Sequence, residues 1–346
     1  MHVAQHFPSF RNTLRVAIAT ALALTPVFAI HSASACAACG CTLSTDWSTQ
    51  GITTQPGFTA NLSFDSLNQN QQRYGTGSAS SALINKQLAA GQEVEAFTQT
   101  ETVTASLMYS DTDWGINAQL PYVTRTHGTY GTTAPLGSSY STSSDSGIGD
   151  IKILGRYNGF SEEQTSGIIA GLKLPTGNTG ANFNAGTAAG QPLDAGLQIG
   201  TGSTDIILGG YTTGAIASYG WFAQGTIQHA IATKPALGNL DYRPGDALSI
   251  NTGIRYAGFG ARVSPMLQLN IIKRQADTGA LTVPLDPITG VPVSGGTLAY
   301  LAPGVSVRLG GGASVYSFIQ LPLYQKVSSL QLTPRYTFTL GVRQSF

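Results

Sequence analysis

The sequence is short of cysteine, short of charge, and without a long apolar helix beyond its start. Three of its 346 residues are cysteine, all within positions 36–41, Cys-Ala-Ala-Cys-Gly-Cys. So local a set cannot staple a chain of this length into a disulfide framework. Charged residues make up only 10%, little for a surface that must stay in water. Lys plus Arg number 18 against 17 Asp plus Glu, so there is no electrostatic footprint for nucleic acid. After residue 35 nothing approaches the ~18 consecutive apolar residues of a membrane-spanning helix. G-x-S-x-G, H-E-x-x-H and a phosphate loop are all missing, and only His127 and His229 follow residue 35. The chain is therefore not expected to be an enzyme.

What is present begins with a secretion signal over 1–35. Arg11 and Arg15 precede an apolar stretch, Val16 to Ile30, and Ala33-Ser34-Ala35 has the A-x-A form of a cleavage site. Cleavage there makes Cys36 the first residue of the exported chain. A lipoprotein would want a bulky aliphatic residue where Ala33 stands, so lipidation is disfavoured. The remainder is read as a Cys-rich tail, 36–57, followed by one domain, 58–346.

That domain alternates with period two. In 102–109, Val103, Ala105, Leu107 and Tyr109 interleave with Thr102, Thr104 and Ser106; in 114–120 the apolar even positions interleave with Asn117 and Gln119. Leu248, Ile250 and Ile254 alternate with Ser249, Asn251 and Arg255, and the last strand sets Tyr336, Phe338, Leu340 and Val342 against Thr337, Thr339, Gly341 and Arg343. One greasy face and one polar face fit a strand with lipid on one side and a polar lumen on the other. Twelve strands are expected: 58–66, 94–110, 113–125, 148–158, 164–175, 203–214, 219–232, 245–257, 260–274, 297–309, 312–324 and 332–346. Short and long links alternate between them, as in a bacterial outer-membrane barrel with tight periplasmic turns. The fold class is an all-β transmembrane antiparallel β-barrel of about 12 strands with both termini periplasmic; the competing reading is a soluble β-sandwich. Trp114, Trp221, Tyr109 and Tyr122 read as an interfacial girdle, and 79–90 as a short helix within a loop.

Four motifs occur in order: Gly147-Ile-Gly-Asp-Ile-Lys152, Gly171-Leu-Lys-Leu-Pro-Thr-Gly177, Gly200-Thr-Gly-Ser-Thr-Asp205 and Tyr242-Arg-Pro-Gly-Asp246. Over roughly 95–346 the chain thereby resembles the outer-membrane barrels named for the meta pathway of phenol degradation. The resemblance implies an outer-membrane barrel that passes small, aromatic molecules. The Cys-rich head is not part of that pattern.

Extending the alternation points Asp150, Lys152, Arg156, Lys173, Arg255, Arg262, Arg308 and Arg343 into the lumen, with Asp205 as a further candidate. A mostly basic lining would favour anions or carboxylated solutes; alternatively the arginines pair with loop carboxylates such as Glu93, Glu95 and Asp145. Tyr316 and Phe318 are expected inside, as packing or as a ring-binding site. Cys36, Cys39 and Cys41 are a candidate metal site, since clustered thiolates suit copper, zinc or iron–sulfur. A Cys36–Cys39 disulfide with Cys41 left for exchange or for a periplasmic partner is the alternative. The chain is thus expected to be an outer-membrane channel for small anionic or aromatic solutes, embedded in lipid and delivered by the barrel-insertion machinery. A non-conducting barrel that binds metal or docks a partner through its tail is the second reading.

Overall fold

The computed structural model describes residues 56–346 apart from 161, 235–240, 260–261 and 280–282. The signal segment, the cleavage site and the three cysteines lie outside the described residues. The strands are β1 (Gly57–Tyr74), β2 (Gly77–Ser78), β3 (Val94–Ser110), β4 (Trp114–Tyr130), β5 (Tyr140–Ile148), β6 (Ile151–Tyr157), β7 (Ser166–Leu174), β8 (Ala185–Gly186), β9 (Ser203–Ile216), β10 (Tyr219–Thr233), β11 (Ala247–Tyr256), β12 (Val263–Arg274), β13 (Gly296–Gly310), β14 (Ala313–Val327) and β15 (Leu330–Ser345). One helix, α1 (Ser81–Ala89), stands between β2 and β3.

Twelve of these strands close into an antiparallel barrel. Its order is β1-β3-β4-β6-β7-β9-β10-β11-β12-β13-β14-β15, and β15 returns to β1 through pairs such as Leu62↔Val342 and Asp65↔Thr339. Closure leaves no unpaired edge to be desolvated in lipid. β1 begins and β15 ends at the end that carries the short turns, where the Phe346 amide donates to the Phe58 carbonyl at 2.8 Å. One of the two-residue turns there is Gly311-Gly312, with φ of +57° and +83°. Two positive φ values in a two-residue hairpin call for glycine.

Three departures from the sequence reading have local causes. The expected strand 148–158 is β6, and the expected link 126–147 holds the end of β4 and β5, with Gly149 and Asp150 interrupting the ladder where β4 changes partner from β6 to β5. β1 continues to Tyr74 through two register shifts where a loop was expected from residue 67. The link 325–331, read as long, shrinks to 328–329 because β14 runs on to Val327 and β15 begins at Leu330. His127, expected in a loop, lies on β4 and is 1% exposed.

The two faces of the wall separate as the alternation demands. Every one of the twelve staves exposes a large aliphatic side chain: Leu62, Leu107, Leu120, Ile153, Ile168, Leu208, Ile227, Ile250, Leu267, Val305, Ile319 and Leu340. A continuous apolar belt of this kind would be an aggregation liability in water and is the normal exterior of a barrel in lipid. At the short-turn end it is rimmed by ring contacts, Phe58–Tyr109–Trp114 and Tyr219–Tyr256–Phe259, with centroids 4.9–5.3 Å apart. These rings match the girdle expected from Tyr109 and Trp114.

Inside, the half of the lumen next to β12–β15 is filled. Tyr316 and Phe318 are each 1% exposed and pack with Met266 and Ala302, so they serve as interior packing. Their rings lie over glycines of the neighbouring strands: a Cβ at Gly304 would overlap the Phe318 ring, and one at Gly341 the Tyr316 ring. Aromatic cover of this kind fixes register and explains some of the glycine content. Gly304→Val is expected to cost about 1–3 kcal/mol by overpacking. Thermal unfolding in detergent, followed by heat-modifiable mobility, would show it; an unchanged midpoint would refute the covering role.

Candidate functional site

The other half of the lumen is open. A cavity of about 370 Å³ lies against the inner faces of β1, β3, β4, β6, β7 and β9–β12. Its wall follows from the inward parity of each strand. β3 contributes the hydroxyls Thr100, Thr102, Thr104 and Ser106; β4 contributes Gln119, Pro121, Val123 and Arg125; β10 contributes Gln224 and Gln228, and β11 Asn251. Leu154, Ile169, Ile199, Ile207 and Ile272 supply apolar patches.

One knot of charge is built into this wall. Lys173 on β7 is 3% exposed and contacts Asp205 on β9 at 2.8 Å and Asp150 at 3.6 Å. Asp150 also accepts from the amides of Gly177 (3.0 Å) and Thr201 (2.9 Å) and from the Thr201 hydroxyl (2.6 Å). Asp205 accepts from the Ser203 hydroxyl at 2.6 Å and from the Gln228 amide at 2.5 Å. Lys173 donates in turn to Thr201 and Ser203. The Gly-Asp, Lys-Leu-Pro-Thr-Gly and Gly-Thr-Gly-Ser-Thr-Asp motifs therefore meet at one place. Gly177 and Gly200 touch there so closely that a Cβ on either would collide with the other's backbone, which is a use for glycine that the motifs alone do not show.

The long-loop end is covered. α1 is capped by Ser80, whose hydroxyl accepts from the Leu83 amide at 3.2 Å. Ile84, Gln87 and Leu88 form its buried face, and Ile84 and Leu88 cluster with Val94 and Leu330 against Tyr74 and Tyr130. The helix is latched by Asp286, a buried residue of loop 275–295. One carboxylate oxygen of Asp286 accepts from Ser329 at 2.7 Å, from Gln87 of α1 at 3.1 Å and from Tyr74 at 3.5 Å; the other accepts from the amides of Ile288 and Thr289 at 2.8 and 3.1 Å. Loop 175–202 forms a second cover with its own small core of Ala181, Phe183, Leu193 and Leu197. It dips Ile199 and Thr201 into the cavity and is tied to β4 by Arg125, which donates to the Gln198 carbonyl at 2.8 Å.

The eight residues assigned to the lumen from sequence fall into two groups, and those on strands have inward parity. Asp150, Lys152 and Lys173 line the cavity. Arg156 is 6% exposed and held at the short-turn end by Asn158 (2.6 Å) and the Asp111 carbonyl (3.3 Å). Arg343 is half-buried there, donating to Ser314 at 3.3 Å over the Tyr316 ring. Arg255 and Arg308 are exposed at that same end, and Arg262 lies in the turn just before β12. They stand away from the cavity because they occupy the last three positions of their strands at the short-turn end or, for Arg262, the turn itself.

The sequence reading missed Asp65, Arg125 and Arg274, all of which line the cavity. Arg125 shares the parity of Asn117 and Gln119, but the strand was ended at that residue. Asp65 sits in the alternation of β1, where it accepts from the Thr339 hydroxyl at 2.6 Å. With three carboxylates and four basic groups the cavity wall is mixed in sign, where a mostly basic lining was expected. Glu95 was assigned to a loop; it is on β3 and buried. A register shift between Glu95 and Phe97 re-aims it, and bulges are not legible from alternation.

No family model matches the sequence, and no curated protein does. Among solved structures, an outer membrane channel from Pseudomonas putida F1 aligns over 85% of this chain and 97% of its own, with a TM-score of 0.59 at 11% identity. A toluene transporter from Ralstonia pickettii aligns over 86% and 91%, with a TM-score of 0.44 at 11% identity. The likeness to the first is one of fold. Closed strands, a greasy exterior and an aromatic rim leave one environment for the chain. It is a barrel of the bacterial outer membrane.

Proposed function

We propose that the barrel is a gated channel for small solutes, with the short-turn end in the periplasm. The observation that carries this is the lumenal cavity, which is lined by the wall and entered by Ile199 and Thr201 of loop 175–202, with α1 packed at the same end of the barrel. A purely structural lumen would be filled across its whole width, as the β12–β15 half is. The alternation of hydroxyl and amide groups with aliphatic patches suits solutes that are part apolar and part polar. Single-ring aromatic molecules, which the motif resemblance implies, have this character.

The test is conductance and solute flux of the purified full chain in planar bilayers and liposomes. Discrete openings and uptake of small solutes are expected. Neither openings nor flux, in protein shown to be folded and with the Asp286 latch also cut, would overturn the channel reading. Cys36, Cys39 and Cys41 are proposed as a periplasmic metal site on the exported tail, serving regulation or docking. Stoichiometric copper or zinc on the exported chain, lost in the Cys39→Ala variant, is the expected result; no bound metal at any loading would retire that site.

A further inference from the structure

The charges of the cavity wall are nearly all spoken for. Lys173 is neutralised by Asp150 and Asp205, and the surplus negative charge of that trio is spread over five donors: the amides of Gly177 and Thr201, the hydroxyls of Thr201 and Ser203, and Gln228. Arg274 is paired with Asp277 at 3.0 Å. Arg125 is bound to Thr100 and to loop 175–202. Asp65 is bound to Thr339.

Lys152 is different. It faces the cavity from β6, half-buried, and among the described residues it has no hydrogen bond or ion pair. Across the ladder it faces Gln119 on β4 and Lys173 on β7, so its nearest registered partners are a neutral amide and a second cation. The carboxylate outside the Lys173 knot, Asp65, is bound to Thr339 and stands on β1, three strands round the wall, or about 14 Å at the usual ~4.8 Å spacing. The apolar wall begins two residues along the strand, at Leu154, with Ile169 of β7 diagonally beyond it: Leu154 pairs with Gly171 and Arg156 with Ile169.

An unpaired ammonium beside aliphatic side chains, in a cavity of about 370 Å³, describes a particular ligand. We infer that Lys152 anchors the carboxylate of a small, one-ring or short-chain organic acid whose apolar part lies on Leu154 and Ile169. This deepens the channel reading and rests on it. The carboxylate gains a charge-assisted hydrogen bond in a partly desolvated site, and the apolar body gains burial. A neutral analogue gains only the second. The wall selects monoanions, because Asp65 and the Asp150–Asp205 pair repel a second negative charge.

The experiment compares benzoate with benzyl alcohol as probes on the full chain and on the Lys152→Met and Lys152→Arg variants. Two readouts are taken: solute flux into liposomes, and equilibrium binding to the folded barrel in detergent by calorimetry. Benzoate binding is expected to weaken at least about tenfold in Lys152→Met, as loss of a hydrogen bond to a charged group implies, and to be largely restored in Lys152→Arg. Benzyl alcohol should change less than twofold. Equal weakening of both probes would mean a packing role for Lys152 and would overturn the proposal. So would unchanged benzoate binding in Lys152→Met, or no benzoate binding by the unaltered barrel. Lys152-dependent binding without flux would keep the anchor and retire the channel; flux without Lys152 dependence would do the reverse.

Discussion

Lys173→Met is expected to lower the stability of the barrel by about 3–5 kcal/mol, the scale found when one partner of a buried ionic group is removed. The reason is geometric. Lys173 is 3% exposed, and Asp150 and Asp205 both direct an oxygen at it. Without the ammonium, two carboxylates face each other in a partly dry wall, and the Thr201 and Ser203 oxygens lose a donor. The loss is local to a place where β6, β7, β9 and loop 175–202 are tied together. Loosening of that loop should accompany the drop in stability. Thermal unfolding in detergent would read the first, and protease cleavage near Gln198 the second. The variant that also carries Asp150→Asn and Asp205→Asn removes the uncompensated charges and should recover more than half of the loss. Failure of that rescue would show that the ammonium acts by packing alone.

Asp286→Ala is expected to open the lid. The substitution deletes an ionised acceptor that five donors share, three of them from Ser329, Gln87 and Tyr74 on separate elements. At ~1.5–3 kcal/mol for a hydrogen bond to a charged group, a net loss of about 2 kcal/mol shifts the lid equilibrium by a factor of about 30. Open probability or liposome flux should rise by that order while the barrel's unfolding midpoint stays within a few degrees. The same latch predicts a pH dependence. Burial pushes the Asp286 carboxyl up, but hydrogen bonds from Ser329, Ile288 and Thr289 outweigh burial and hold it below the ordinary carboxylate range. A depressed folded value means that the latch contributes fully above the unfolded value, near ~3.9, and is lost as pH falls through the folded one. Acid-induced opening should therefore begin below about pH 4, and the Asp286→Ala variant should show no such transition. Opening near neutral pH in both proteins would mean that another group holds the lid.

Much of this molecule could be read from residue order, and the reasons for the exceptions are specific. A strand in a barrel wall has lipid on one side and lumen on the other, so period-two alternation reports it directly; all twelve staves and the inward face of Lys152, Lys173 and Asp150 follow from it. Height along the strand does not follow, because alternation carries no information about where a strand meets the membrane. Arg255, Arg308 and Arg343 accordingly share the parity of the cavity residues and stand at its far end. Bulges defeat the pattern too, as at Glu95.

By itself the sequence determined the barrel, its strand number and which residues face the lumen, because greasy and polar side chains must alternate when each strand separates lipid from water. Only the tertiary structure decided what the lumen contains. Whether it is filled by Tyr316 and Phe318, knotted by Lys173, or left open beside Lys152 depends on contacts between strands far apart in the chain. Closure brings Asp65 of β1 to Thr339 of β15, and loop 275–295 to the helix that it latches; no local spacing encodes either meeting.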